Sequence, residues 1–268
     1  MKKILITGAG SYIGTSFEKY MGQWSDKYSV DTVDMIDGSW REKDFGGYDV
    51  VFHVAGIAHI KETKENAELY YKVNRDMAVE TAKKAKAEGV KHFVFLSSMS
   101  VYGMETGIIT KDTEPNPNTN YGKSKLMAEK EILNLEDVSF KIAVLRPPMI
   151  YGDGCKGNYN SLIKFANKLP VFPNIKNKRS MLEINNLCKF IMEVIDKDKE
   201  GLFFPQDEKY VCTSGMVKGI AEKNGKKIYL TKLLNPFVKL AMIMPGGIGR
   251  MASKAFGDLI YSMGYDER

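Results

Sequence analysis

Five short apolar runs, rich in β-branched and aromatic residues, recur along the first half of this chain. They are KILIT (3–7), SVDTV (29–33), DVVFHVA (49–55), HFVFLSS (92–98) and FKIAVLR (140–146). Near-continuous apolar runs of this length suit strands buried on both faces, as in a parallel sheet covered by helices. Helical patterns lie between several of them. The clearest is AELYYKVNRDMAVETAKKAKAEG (67–89), with Gly89 placed to end it. Alternating strand and helix predicts an α/β fold with a doubly wound parallel sheet. Past about Leu145 the pattern changes. RPPMIYGDG is turn chemistry, and shorter helical pieces follow, NSLIKFANKL (160–169) and NLCKFIMEVID (186–196).

Composition narrows the function classes. The 268 residues can bury a sizeable core, and the net charge of +6 is spread widely with no long Lys/Arg block. No nucleic-acid partner is therefore expected. The mild positive balance suits an acidic small molecule, such as a phosphorylated substrate, as well as it suits a plain lysine-rich surface. Three cysteines, Cys155, Cys188 and Cys212, are odd in number and lack metal-ligand spacing. They fit a reducing cytoplasm without disulfides, and no metal site is expected. The apolar run in MKKILITGAG is too short for an export signal and reads as a strand. No segment approaches the length of a membrane span.

ITGAGSYIG (6–14) follows the first strand directly and leads into a helix. Gly8 and Gly10 let the backbone turn tightly and approach a pyrophosphate, and Gly14 lets the helix pack closely on the sheet. Ser11, Tyr12 and Ile13 complete the loop, which places a helix N-terminus at the phosphates. Asp34 lies twenty residues beyond Gly14, at the end of the second strand. An acid there binds ribose hydroxyls and repels a 2′-phosphate. With Met35 after it and no arginine beside it, the cofactor predicted is NAD rather than NADP. The chain then divides into residues 1–150, an NAD-binding Rossmann-like domain, and residues 151–268, a smaller substrate-binding region.

A further strand ends in FHVAG, whose small Ala55 and Gly56 leave room for a cofactor, and FLSSMSVYG puts Ser97 and Ser98 at a carboxyl edge. Tyr121 comes twenty-three residues after Ser98, and Lys125 one helical turn later. Serine, tyrosine and lysine are thus delivered to one crevice beside a dinucleotide site. A free phenol has a pKa near 10, and a neighbouring ammonium and a cationic nicotinamide both favour phenolate. Asn74 stands mid-helix, where asparagine is a poor former unless its amide bonds something.

These landmarks, TGAGSYIG, Asp34, FHVAG, Asn74, LSSMSVYG, YGKSK and LRPPMIYG, resemble the extended short-chain dehydrogenase/reductases, within them the nucleotide-sugar epimerase/dehydratase family. The resemblance covers roughly residues 1 to 210. It implies that Tyr121 is the acid/base, that Ser98 hydrogen-bonds the reacting oxygen, and that Lys125 binds the nicotinamide ribose and lowers the tyrosine pKa. It implies a supporting role for Asn74. Pro148, in the LRPPMIYG landmark, is taken as a cofactor contact. Ser11 replaces the usual middle glycine of the loop. The chain between Asp34 and FHVAG is short for such a protein, so a strand and a helix are largely missing there. DGSW (37–40), with Ser39 and Trp40, is expected to supply what remains of an adenine pocket.

The resemblance also carries the reaction. Its sharper reading is NAD-dependent 4-epimerisation of a UDP-hexose or UDP-N-acetylhexosamine through a transient 4-keto sugar, and the runner-up is an NAD(P)H-dependent 4-ketoreductase. RPPMIYGDGCKGN with NKRSMLEINNL looks like a subgroup that holds both, lipid-linked N-acetylglucosamine 4-epimerases included. Met99 and Ser100 stand where 4,6-dehydratases carry an Asp-Glu pair. Met149 replaces an asparagine of UDP-galactose 4-epimerases, and Asn158 and Arg179 match positions that hold the substrate diphosphate. His59 is a candidate for the sugar pocket, whereas His53 reads as a hydrogen-bonded core residue. A non-catalytic dinucleotide-binding regulator is the reading from another class. The resemblance further implies a homodimer joined by helices at 67–88 and 121–135, through side chains such as Leu69, Met77, Met127 and Leu133. The tail, 234–264, reads either as a helix pair packed beneath the substrate region or as a surface for weak membrane contact.

Overall fold

The computed structural model describes residues 1–58, 60, 62–155 and 157–263; the side chain of Asn158 is outside the description, as are His59 and Lys61. Two compact units are formed, and they interleave in sequence. The first comprises Met1–Gly103, Pro115–Pro148 and Glu183–Pro205, and the second Met104–Glu114, Met149–Leu182 and Gln206–Arg268.

The first unit is built on a six-stranded sheet of β1 (Lys2–Thr7), β2 (Tyr28–Val33), β3 (Val50–His53), β4 (His92–Leu96), β5 (Lys141–Leu145) and β6 (Gly201–Phe203). The spatial order is β6-β5-β4-β3-β1-β2, and every pairing is parallel. Every residue of β3 and β4 is buried, as a sheet covered on both faces demands. Leu5, Val51, Phe93, Phe95 and Val144 join Ala78, Ala82, Ala85, Ala128 and Ile132 of the covering helices in one apolar cluster. Small alanines on those helices let the backbone approach the large side chains of the sheet, which keeps the layer close-packed.

The short connection after Asp34 holds no strand, only the 3-10 turn Ser39–Arg41. β2 is consequently an edge strand, and most of its residues are half-buried. Trp40 and Phe45 from this connection fill the adjoining core. The long helical pattern at 67–89 forms as Ala67–Tyr71, a π-helical turn at Lys72–Asp76, and Met77–Ala87. Gly89, at φ +83, ends it as predicted.

Two pieces expected in the substrate-side region return to this first unit. Helix Ile184–Asp196 buries Leu187, Cys188, Ile191, Val194 and Ile195 and packs against helix Tyr12–Met21. β6 then closes the sheet beside β5. A stripe this apolar has to face a core, and the sheet provides one.

The second unit contains short parallel pairs, Val171–Pro173 with Tyr229–Thr231 and Gly107–Ile109 with Leu259–Tyr261. Helices Asn158–Lys168 and Thr213–Lys223 pack together around Leu162, Ala166, Phe172, Val217 and Ala221. None of the three cysteines is in a disulfide, and Cys155 and Cys188 are buried. Among the described residues no helix is long and apolar enough to cross a membrane.

Candidate active site

The glycine loop leaves β1 and is pinned to its neighbour: the amides of Gly8 and Ala9 both donate to the Val33 carbonyl, at 2.9 and 3.0 Å. That places the loop beside Asp34, the next residue after β2. Gly8 (φ +97) and Gly10 (φ +72) occupy left-handed backbone, which other residues adopt only with strain. A Cβ on Gly8 would lie 3.0 Å from the Ala55 Cα. Ser11 is the N-cap of helix Tyr12–Met21, its Oγ accepting from the Gly14 amide at 3.1 Å. The serine that departs from the usual pattern therefore starts the helix, while Gly10 supplies the turn. The arrangement fits a dinucleotide diphosphate, since bare backbone and a helix N-terminus converge with no side chain in the way.

Asp34 is exposed, and its Oδ1 accepts from the Ile36 amide at 2.9 Å. Of the expected adenine contacts, Ser39 is exposed but bonded to Asp37. Trp40 lies in the core, only 1% exposed. Its ring is thus no open wall. The exposed apolar side chain beside Asp34 is Ile36 instead.

On the other side of the glycine loop, Asn74 secures the segment after β3. Its Oδ1 accepts from the Ile57 amide at 2.8 Å, and its Nδ2 donates to the Ile57 carbonyl at 3.0 Å and to Ser124 Oγ at 3.3 Å. The buried amide is thereby satisfied on both ends, and it lies within the π-helical turn. Such turns collect at functional sites. Gly56 is held against it: a Cβ there would come 2.8 Å from Asn74 Oδ1 and 3.3 Å from Lys125 Nζ.

The Ser98 hydroxyl stands near enough to the Tyr121 phenol to act on its pKa. Two features create this meeting. Ser98 caps the 3-10 turn Met99–Tyr102, accepting from the Ser100 amide at 3.1 Å. Gly122 lets helix Asn120–Leu133 lie directly on that turn, because a Cβ there would stand 2.5 Å from the Ser100 carbonyl oxygen. The helix start is doubly fixed. Thr119 Oγ1 accepts from the Gly122 amide, and the Glu62 carboxylate accepts from the amides of Asn120 and Tyr121, each bond 3.1 Å.

Burial raises the Tyr121 pKa; the Ser98 hydroxyl opposes that rise, and the charge of Tyr70 adds to it. The group that opposes the rise in this structure is Ser98. Lys125 Nζ donates to the Leu96 carbonyl at 2.9 Å and lies 4.7 Å from the Phe95 ring centre. Burial lowers its pKa to about 8, against the charge of Glu129.

Beneath these residues runs a buried polar network invisible in the motifs. Glu129 stands one turn after Lys125 and accepts from Ser97 Oγ and from Arg146, whose Nη2 reaches Oε2 at 2.6 Å. Arg146 Nη1 donates to the Tyr102 hydroxyl at 2.9 Å. His53 is a core residue as expected, bonded through Nδ1 to Thr7 Oγ1 at 2.8 Å.

Pro148 is buried at the end of the first unit, following Pro147, whose carbonyl accepts from the Met99 amide at 2.9 Å. Met149, Asn158 and Arg179 belong to the second unit. Met149 is half-buried against its apolar cluster. Arg179 Nη1 donates to the Gly257 carbonyl at 3.0 Å, and burial lowers the pKa of the guanidinium, against the charge of Asp258. Among the described residues it has no ion-pair partner within reach. His59 and the Asn158 side chain lie outside the described residues.

A family model described as the NAD dependent epimerase/dehydratase family matches residues 4–204. The chain is 36% identical to a UDP-glucose 4-epimerase of Vibrio cholerae, over 82% of this chain and 75% of that protein. It is 27% identical to the N-acetyl-alpha-D-glucosaminyl-diphospho-ditrans,octacis-undecaprenol 4-epimerase of Escherichia coli O157:H7, over 70% of this chain and 61% of that protein. The crystal structure of UDP-glucuronic acid 4-epimerase from Bacillus cereus in complex with NAD superposes with a TM-score of 0.72 at 18% identity, covering 94% of each chain.

Proposed function

We propose, on the premise that this chain belongs to the NAD dependent epimerase/dehydratase family and is an NAD-dependent enzyme, that it inverts C4 of a UDP-linked hexose or N-acetylhexosamine. The observation that carries this reading is the Ser98–Tyr121 pair, with Lys125 one turn on.

Gly8, Gly10 and the loop 11–14 would hold the NAD diphosphate, Asp34 the adenosine ribose, and Lys125 the nicotinamide ribose between Ala55, Gly56 and Pro148. When bound, NAD supplies a hydride acceptor for C4 and, once the sugar has turned, the donor to its other face. Tyr121 Oη takes the proton of the 4-hydroxyl and later returns it, a positioned acid/base. The Ser98 hydroxyl, beside the phenol, orients the same sugar oxygen and favours the charged form of Tyr121. Asn74 and Glu62 act at one remove, holding the Ile57 loop and the helix start in register. Arg179 is the group for the substrate diphosphate, since a half-buried guanidinium bonded to a carbonyl retains donors for phosphate oxygens.

A homodimer through the helices at 67–88 and 121–135 belongs to this reading. Leu69 and Met127 are exposed on them, whereas Met77 and Leu133 pack on the core. Light scattering at micromolar concentration distinguishes dimer from monomer.

The test of the reaction is incubation with NAD and a panel of UDP-sugars, with products read by NMR. The proposal expects UDP-glucose or UDP-N-acetylglucosamine to pass to its 4-epimer with no net NADH. Consumption of NADH only when a 4-keto sugar is supplied would make the protein a reductase.

A further inference from the structure

The tail of the second unit folds as two short helices, Asn235–Ile243 and Gly247–Phe256, which pack on each other. Gly249 backs onto the Met244 carbonyl, where a Cβ would come within 1.9 Å of the oxygen, so the turn between the helices is held tight. The first helix, NPFVKLAMI, is apolar at every position except Asn235 and Lys239, yet none of its residues is buried. Leu233, Phe237, Leu240, Ile243, Ile248 and Met251 are between 55% and 82% exposed. A helix pair packed beneath the substrate region would bury such a stripe; here it faces outward. An exposed apolar surface of this extent marks an interaction site.

The charges around it select the partner. From Lys232 to Gly257 the chain carries Lys232, Lys239, Arg250 and Lys254 and no carboxylate. Lys254 reaches Glu105 at 3.7 Å, while Lys232, Lys239 and Arg250 have no ion-pair partner among the described residues. Apolar side chains rimmed by unpaired cations match a surface with acyl chains below and negative head groups above. A second copy of this chain is a poorer match, because a two-fold contact would set cations against cations. The helices are also too short to span a bilayer.

From this we infer that the hairpin 233–256 docks on an anionic phospholipid bilayer, its apolar side chains entering the interface while Lys232, Lys239 and Arg250 meet the head groups. The contact is peripheral and reversible, and it is independent of the assignment of the sugar substrate.

Vesicle flotation of the full chain tests it, with phosphatidylglycerol-containing vesicles against pure phosphatidylcholine. The inference expects co-flotation with the anionic vesicles at low salt and its loss at high salt. It expects about tenfold less bound protein for Phe237→Ser with Leu240→Ser, and separately for Lys239→Glu with Arg250→Glu. Retained NAD binding shows that the variants are folded. No flotation of the wild-type protein at low salt overturns the inference. So does equal flotation of the wild type and both variants, or a dimer that the apolar substitutions dissociate while the vesicles stay bare.

Discussion

The Glu62 carboxylate accepts a hydrogen bond from the backbone amide of Tyr121 at 3.1 Å, with the Asn120 amide on its other oxygen. A residue in the segment after β3 thus caps the helix that carries the candidate acid/base. Capping bonds of this kind contribute about 0.5–2 kcal/mol, and a carboxylate is favoured at a helix N-terminus. Glu62→Ala should lower stability by about 1 kcal/mol. Because it loosens the main chain of Tyr121 itself, kcat should fall more than KM rises. Glu62→Gln, which keeps one acceptor, should recover part of the rate. Equal kcat in wild type and the alanine variant would show that Thr119 alone suffices as the cap.

Glu129 and Arg146 form a buried ion pair, 1% and 7% exposed. Removing one partner strands the other charge away from water, which costs about 3–5 kcal/mol. Glu129→Ala should therefore unfold at a markedly lower urea concentration, read by circular dichroism. Replacing both residues by apolar ones should cost less than the single change. Additive losses would contradict the pairing.

Two buried histidines make the fold acid-sensitive. Burial lowers the pKa of His53 to about 3, with the Lys125 charge adding to the effect. Burial likewise brings His92 to about 4, against its bond to the Lys199 carbonyl. Since the unfolded chain binds these protons first, their contribution is fully present above about pH 6.5 and is lost as pH falls through the window down to 3–4. The urea midpoint should drop between about pH 7 and about pH 5, and His53→Gln should flatten part of that slope. An unchanged slope in the variant would remove His53 from the account.

Asp34 carries the cofactor preference. Its carboxylate is exposed, oriented by the Ile36 amide, and unaccompanied by an arginine at the end of β2. NAD should bind at least about tenfold more tightly than NADP, a difference of about 1.4 kcal/mol, and Asp34→Ala should erase most of that gap. Calorimetric titration of both cofactors reads it directly; tighter NADP binding to the wild-type protein would refute the argument.

Much of the first unit was legible because its signals are local. Strand runs, the glycine loop and the tyrosine–lysine spacing each occupy a few consecutive residues, and the short connection after Asp34 correctly foretold a missing strand. What the sequence concealed acts across long separations. Glu62 meets a helix almost sixty residues away, and Glu129 joins Ser97 and Arg146 from different strands' ends. Trp40 belongs with these: DGSW reads locally as a turn at an adenine pocket, and only the distant residues packed around the ring show that it is buried. The return of helix Ile184–Asp196 to the first unit likewise depends on a face that helix Tyr12–Met21 offers. The π-helical turn around Asn74 leaves no periodic trace, although an asparagine in the middle of a helical pattern is the one hint the residues offer.

The account rests most heavily on the phenol of Tyr121. Turnover of a UDP-sugar by Tyr121→Phe, measured by NMR alongside NAD affinity in the same preparation, tests it most directly. The account predicts a loss of at least about a hundredfold in rate with NAD binding nearly unchanged, because the phenol stands beside Ser98 while the glycine loop and Asp34 are untouched. A phenylalanine variant that turns over at the wild-type rate would contradict it.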